Sequence, residues 1–358
     1  RLDPDHPEIA RDLANPNQPA TAVGMLVEAL RRRRAAGIPA FTVLSCDNLP
    51  ANGVTLGCVL ADYAALRDAD LGRFVAGEVA TPSTMVDRIV PATTDDDRAL
   101  TEKLIGLRDA WPVMTEPFSQ WVIEDNFPQG RPPWELAGAQ MVADVAPFEH
   151  MKLRLLNASH SAMAYLGLLA GLKTVDQAIT NPDMARYIAG LMADEMAPTL
   201  ALPAGVDVAH YQADLIARFA NPALQHNLAQ ISMDGSQKLP QRLLEAAREN
   251  LGARRDIPLT TLGVAAWIRF MTAGDDSGNR LPVNDPMAEA VRAAAGQGGA
   301  GDQARAVLDM QAIFGADLAA EPRFADAVVG WCEKLAAHGA GPVLGDLALS
   351  RQGGGEAG

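Results

Sequence analysis

The chain has 358 residues, 48% of them apolar and 21% charged, and a formal net charge of −14. That length is enough for two domains with separate cores, and those fractions exclude a disordered polymer. The acidic balance excludes nucleic acid as a partner, because phosphate binding needs a basic face.

The opening RLDPDHPEIARDL is charged, polar and without an initiator Met, so it does not read as a signal peptide. It reads as the middle of a fold, and a front portion is expected to be missing. Cys46, Cys58 and Cys332 form no CxxC pair, which leaves neither a disulfide framework nor a zinc site and suits a reducing cytoplasm. No apolar run approaches bilayer length, so no membrane partner is expected. If Asp47 and Asn48 in SCDNLPANG are ordinary turn formers, Cys46 beside them reads as a small core residue.

Residues 18–36 carry apolar positions at helical spacing and end in Arg31–Arg34, cations that favour a helix C-terminus. AFTVLSC follows as a short apolar run between turn signals, the pattern of a strand buried on both faces. DNLPANG then breaks it. TMVDRIVPATT at 84–94 and WPVMTEPFSQWVIED at 111–125 read as further strands. After about residue 144 helical patterns dominate, over 148–171, 176–198, 208–230, 237–252 and 259–272. The expected fold class is α/β plus all-α: a partial Rossmann-type doubly wound domain over 1–145, a mainly helical domain over 146–345, and a disordered Gly-rich tail over 346–358.

On a helix advancing about 100° per residue, Lys152 at 0° puts Glu149 near ~60°, His160 near ~80° and Asn157 near ~140°. An acid, an amine, an amide and an imidazole then share one sector with Leu153, Leu156 and Met163. Polar groups among apolar ones are costly to bury unless they meet a partner, water or a ligand. The set suits alcohol oxidation. A lysine of depressed pKa takes the hydroxyl proton, amide donors stabilise the oxyanion, and Glu149 relays the proton onward. The same residues also suit a half-solvated helix edge with Lys152 paired to Glu149. Asn48, at the C-terminal end of a strand-like run, could donate to a substrate or cofactor, or simply close a turn. Val86-Asp87-Arg88 ends a run in the same manner. Lys238 could bind an anion or lie on the surface. The six histidines form no HxxxH or HExxH pattern, GxSxG is absent, and GQGGAG at 296–301 lacks the strand a phosphate loop needs.

Five strings, FTVLSCDNLPANG, MVDRIVPATT, EPFSQWVIEDNFPQGRPPWE, FEHMKLRLLNASHSAMAYLG and MDGSQKLPQRLL, resemble in order the polyol-specific long-chain dehydrogenases. That family holds mannitol 2-dehydrogenase and fructuronate reductase (D-mannonate oxidoreductase). The resemblance implies a metal-independent, NAD(P)-dependent oxidoreductase with a Rossmann-type domain and a helical domain. NAD is expected and NADP is not excluded. It implies Lys152 as general base, Asn157 and Asn48 as oxyanion donors and Glu149 as proton relay. His160, Lys238, Asp87 and Gln230 would meet the substrate, and Val86, Asp87 and Asn48 the cofactor. The glycine-rich turn that opens the family's Rossmann domain has no counterpart here, so a truncated or degenerate, non-catalytic interaction domain is the alternative. Gln230 stands where mannitol 2-dehydrogenases carry arginine. This favours D-mannonate/D-fructuronate over D-mannitol/D-fructose, and Lys238 with a neighbouring arginine would suit a hexuronate carboxylate. The expected partner is that small molecule, in a monomer or simple homo-oligomer.

Overall fold

The computed structural model describes residues 2–353. It divides into two compact units, Arg1–Arg88 with Pro117–Glu149 and Ile89–Glu116 with His150–Gly358. The first holds an α/β arrangement and the second is almost wholly helical.

In the first unit, α1 (Pro7–Ala14) opens with proline at its first turn, where the missing N–H costs nothing. Thr21 caps α2 (Ala22–Ala35) by accepting from the Gly24 N–H at 3.0 Å. Buried Asp12 ties the two helices together, accepting from the Ala20 and Thr21 N–H groups and the Thr21 hydroxyl. Burial alone would raise that carboxyl, but these donors hold it down at about 2. The arginine run does more than complement a helix dipole. Arg31 and Arg32, with Arg67 from α3 (Asn52–Arg67), converge on the buried Glu28 carboxylate. α3 and α4 (Ala69–Glu78) complete a core of Val27, Leu30, Leu60 and Tyr63.

Three strands form the sheet, in the order β1 (Thr84–Asp87), β2 (Gln120–Glu124), β3 (Gln140–Val142). β1 runs antiparallel to β2, with Val86 opposite Trp121 and Asp87 opposite Gln120; β2 and β3 are parallel. The expected strand AFTVLSC is not one. Val43 donates to the Ala80 carbonyl at 3.0 Å, and no ladder extends along the segment. Periodicity reports burial, whereas a strand also needs a paired neighbour. Cys46 is exposed rather than a core residue.

In the second unit, α5 (Asp95–Ile105) starts in a Thr94/Asp97 capping box. Its segment, 89–116, reads as part of the first domain from its place in the chain but packs with the helical unit. α6 (Ala146–Met151), a π-helical turn π1 (Lys152–Asn157) and α7 (Ala158–Leu169) run on continuously, matching the helical pattern expected from 148. The pattern expected over 176–198 is interrupted, as α8 (Val175–Ile179), α9 (Pro182–Gly190) and π2 (Leu191–Met196). That over 208–230 breaks at Asn221-Pro222 into α10 (Val208–Phe219) and α11 (Leu228–Ile231). α12 (Gly235–Leu239), π3 (Pro240–Leu244) and α13 (Glu245–Gly252) again form one run. The central helix α14 (Pro258–Thr272) is buried along nearly its whole length. Buried Glu195 of π2 closes its start, accepting from the Leu259 and Thr260 N–H groups at 2.7 Å each. Four more helices follow: α15 (Ala288–Ala295), α16 (Ala300–Leu308), α17 (Gln311–Ala320) and α18 (Pro322–His338).

The last helix, α19 (Ala340–Gly353), covers the start of the expected tail, because the Ala/Leu-rich stretch ahead of RQGGGEAG propagates a helix. Residues 354–358 lie outside the described residues. Among the described residues no helix is long and apolar enough to cross a membrane.

Candidate active site

The expected site residues fall in both units. In the first, the loop from Ser45 to Ala51 carries Asn48 at an exposed position. Asn52, buried at the start of α3, holds this loop. Its amide nitrogen donates to the Ser45 carbonyl (3.2 Å), the Asp47 carbonyl (2.9 Å) and the Thr84 carbonyl (3.1 Å). Its amide oxygen accepts from the Thr84 N–H at 2.9 Å, and the Thr84 hydroxyl donates to Ser45 O at 2.6 Å. One side chain therefore clamps the SCDN string to β1, the strand that bears half-buried Val86 and buried Asp87. Glu149 joins the same region, its carboxylate accepting from the Ala51 N–H at 3.2 and 3.3 Å. Ala51 sits in the left-handed region at φ 45°, which turns its N–H toward that carboxylate. The next helical residue but one must be glycine: a Cβ on Gly53 would lie 2.4 Å from the Thr81 carbonyl.

In the second unit Lys152 and Asn157 are the first and last residues of π1. Lys152 is buried, as is His160, about one turn beyond Asn157 in α7. A π turn shifts the hydrogen-bond register by one residue, and such turns recur at functional sites because they re-aim side chains and release carbonyls. The carbonyl of Asn157 takes a long bond (3.4 Å) from Arg242 of π3, which also donates to the Ser161 hydroxyl at 2.9 Å. Lys238, in α12, is half-buried and donates to the Met233 carbonyl at 2.6 Å. Burial, then the Arg242 charge, push its pKa below the usual lysine value. Asp234 caps α12 in the left-handed region at φ 54°. A Cβ on Gly235 would lie 2.4 Å from Trp267 Nε1, so the DGSQK string can pass Trp267 only with glycine there. Gln230 is exposed and lines a cleft of about 960 Å³ shared with Asn227, Met233 and Asn284.

The His160 ring packs on Phe219 (4.6 Å between centroids) and edge-on to His226 (5.5 Å). These rings, with Asp176 and Arg218, line a small cavity of about 10 Å³, room for about one water. Burial pushes both imidazoles below the usual histidine value; for His160 the His226, Arg242 and Arg218 charges add to it. The folded state therefore resists protonation that the unfolded chain accepts near pH ~6.5. The contribution is fully present above that pH and falls as pH drops below it. Between pH 7.5 and 5.5 the urea midpoint should fall, and the His160→Gln/His226→Gln pair should lose much of that pH dependence. An equal dependence in both proteins would remove these histidines as its source.

Sequence reasoning missed Asn52 and left Arg242 as an unspecified arginine near Lys238. Asn52 stands in a string quoted for its neighbours, and Arg242 lies one helical step (i, i+4) beyond Lys238; no residue-type signature separates either from a turn former or a surface cation.

Comparison with known proteins bears on the chain as a whole. Residues 7–136 match the Mannitol dehydrogenase Rossmann domain, and residues 144–336 the Mannitol dehydrogenase C-terminal domain. The chain belongs to the mannitol dehydrogenase family. Oxidoreductase YdfI of Escherichia coli (strain K12) is 50% identical over 94% of this chain and 69% of its own length. D-mannonate oxidoreductase of the same organism is 45% identical, over 95% and 70%. Among solved structures, the Pseudomonas fluorescens mannitol 2-dehydrogenase ternary complex with NAD and D-mannitol superposes with a TM-score of 0.85. It is 37% identical and covers 97% of this chain and 70% of that one. In the frame of the mannitol dehydrogenase family, Asn48, Val86 and Asp87 fall in the Rossmann match. Glu149, Lys152, Asn157, His160, Gln230 and Lys238 fall in the C-terminal match. The α/β unit followed by a mainly helical one is the expected fold class.

Proposed function

We propose that this mannitol dehydrogenase family member is an NAD-dependent oxidoreductase that interconverts a secondary alcohol and a ketone on a linear sugar derivative. D-mannonate and D-fructuronate are preferred to D-mannitol and D-fructose. The observation that carries this reading is the placement of Lys152 and Asn157 at the two ends of one π turn, with Lys152 buried and His160 about one turn beyond Asn157.

The residues present fit the nicotinamide end of a dinucleotide. Asn52 fixes the backbone of the Ser45–Ala51 loop against Thr84 of β1, leaving Asn48 exposed on the loop and Val86 half-buried on the strand. Asn48, Val86 and Asp87 are the residues that would hold it. When bound, nicotinamide accepts the hydride in oxidation and returns it in reduction.

Lys152 takes the hydroxyl proton as the alcohol is oxidised and returns it on reduction. The amides of Asn157 and Asn48 donate to the oxygen on which negative charge develops. Neutral His160 binds a substrate hydroxyl, and Lys238 and Gln230 contact the far part of the chain. Glu149 passes the proton on to solvent. NAD rather than NADP is supported by the NAD complex of the P. fluorescens relative. The sugar-acid preference is supported by Gln230 and by the D-mannonate oxidoreductase among the relatives.

The test is NADH oxidation by the purified protein with D-fructuronate and D-fructose side by side. Faster turnover of fructuronate is expected. Faster turnover of fructose would reverse the substrate ranking, and turnover of neither would remove the enzymatic reading.

A further inference from the structure

Three arginines of the helical unit reach into its interior. Arg154 is buried against the Glu249 carboxylate, with one contact at 3.0 Å, and donates to the Thr199 carbonyl. Arg218 is buried against Glu116, at 2.8 and 3.0 Å. Arg242 differs. It is partly buried, and its partners are two neutral oxygens, the Ser161 hydroxyl and the Asn157 carbonyl. Its Nε is enclosed by protein and has no acceptor. No ion pair with a carboxylate is found for it among the described residues.

A guanidinium withdrawn from water without a counter-charge is costly, which is why buried charges in proteins are paired. Burial pushes the Arg242 guanidinium below its usual value, and the Arg242 charge in turn lowers the nearby Lys238 amine. A neutral side chain could serve Ser161 and the Asn157 carbonyl equally well. What arginine adds at this place is a planar cation suited to a carboxylate. Its location ties that charge to the reaction: it touches the residue that ends π1 and the residue that follows His160.

We propose that Arg242 is the counter-charge for a carboxylate on the substrate, and that the protein selects sugar acids over neutral polyols through it. The assignment rests on the oxidoreductase reading above and names its substrate class. The anion completes the ion pair that Arg154 and Arg218 complete internally, and a neutral polyol leaves it incomplete.

The test compares NAD reduction with D-mannonate and with D-mannitol in the wild type, Arg242→Met and Arg242→Lys. The quantity read is the ratio of kcat/KM for the acid over the polyol, which does not depend on how much of a variant is folded. A charge-assisted hydrogen bond of ordinary strength predicts that Arg242→Met lowers the ratio by about 10- to 100-fold. Arg242→Lys should recover part of it, mainly through KM for the acid. An unchanged ratio in Arg242→Met overturns the proposal, since a residue that only supports π1 would affect both substrates alike. A wild type that oxidises D-mannitol but not D-mannonate also overturns it, while leaving the oxidoreductase reading in place. Oxidation of neither substrate overturns both.

Discussion

Lys152→Ala is expected to lower kcat for alcohol oxidation by about two to four orders of magnitude, the range lost when a positioned acid–base group is removed. The loss should fall on kcat and on kcat/KM together, because proton transfer belongs to the transition state rather than to binding. If the lysine acts only as a base, hydroxide should replace part of its work, and the residual rate should climb with pH. Lys152 is buried on a turn whose geometry depends on backbone hydrogen bonds, so the alanine variant should keep its fold. Circular dichroism and the urea midpoint check that point. Full activity in a folded Lys152→Ala protein would sink the mechanism.

Glu116→Ala should destabilise the helical unit by about 3–5 kcal/mol, the usual cost of removing one partner of a buried ion pair. Glu116 is 2% exposed and holds the Arg218 guanidinium through both carboxylate oxygens. It also accepts from the Ile89 N–H at 2.6 Å, pinning the start of the 89–116 segment to the helical unit. The effect should reach the candidate site, because Phe219, the neighbour of Arg218 in α10, packs on the His160 ring. Glu116→Gln keeps one acceptor and should lose distinctly less. Urea unfolding of the three proteins measures this. A loss below about 1 kcal/mol in Glu116→Ala, the range of an exposed pair, would show that the pair is solvated.

Much of the candidate site was legible because the residues proposed for it stand in short strings with unusual residue types. Lys152, Asn157 and His160 stand on one continuous helical run, as spacing suggests, and Asn48 lies in the loop that Asn52 clamps to β1. What spacing assumes is a uniform 100° step. The π turn breaks that assumption between Lys152 and Asn157, so the angular sector drawn for the four residues is not the one the backbone realises. Glu149 illustrates the same limit. A spacing of three residues suggests a local pairing with Lys152 and gives no sign that its carboxylate meets the N–H of Ala51, 98 residues away.

By itself the sequence determined that helical runs dominate after about residue 144, the order of an α/β unit before a helical one, and the family. Those features depend on caps, prolines, apolar periodicity and contiguous strings, all of which act within a few residues. Tertiary structure alone decided which polar groups meet. It clamped the SCDN loop to β1 through Asn52, carried residues 89–116 into the helical unit, and denied AFTVLSC a ladder. It also surrounded Arg242 with neutral oxygens while giving Arg154 and Arg218 carboxylates. Pairing energies between charges depend on distance and burial rather than on separation along the chain, so no local pattern could distinguish one arginine from the others.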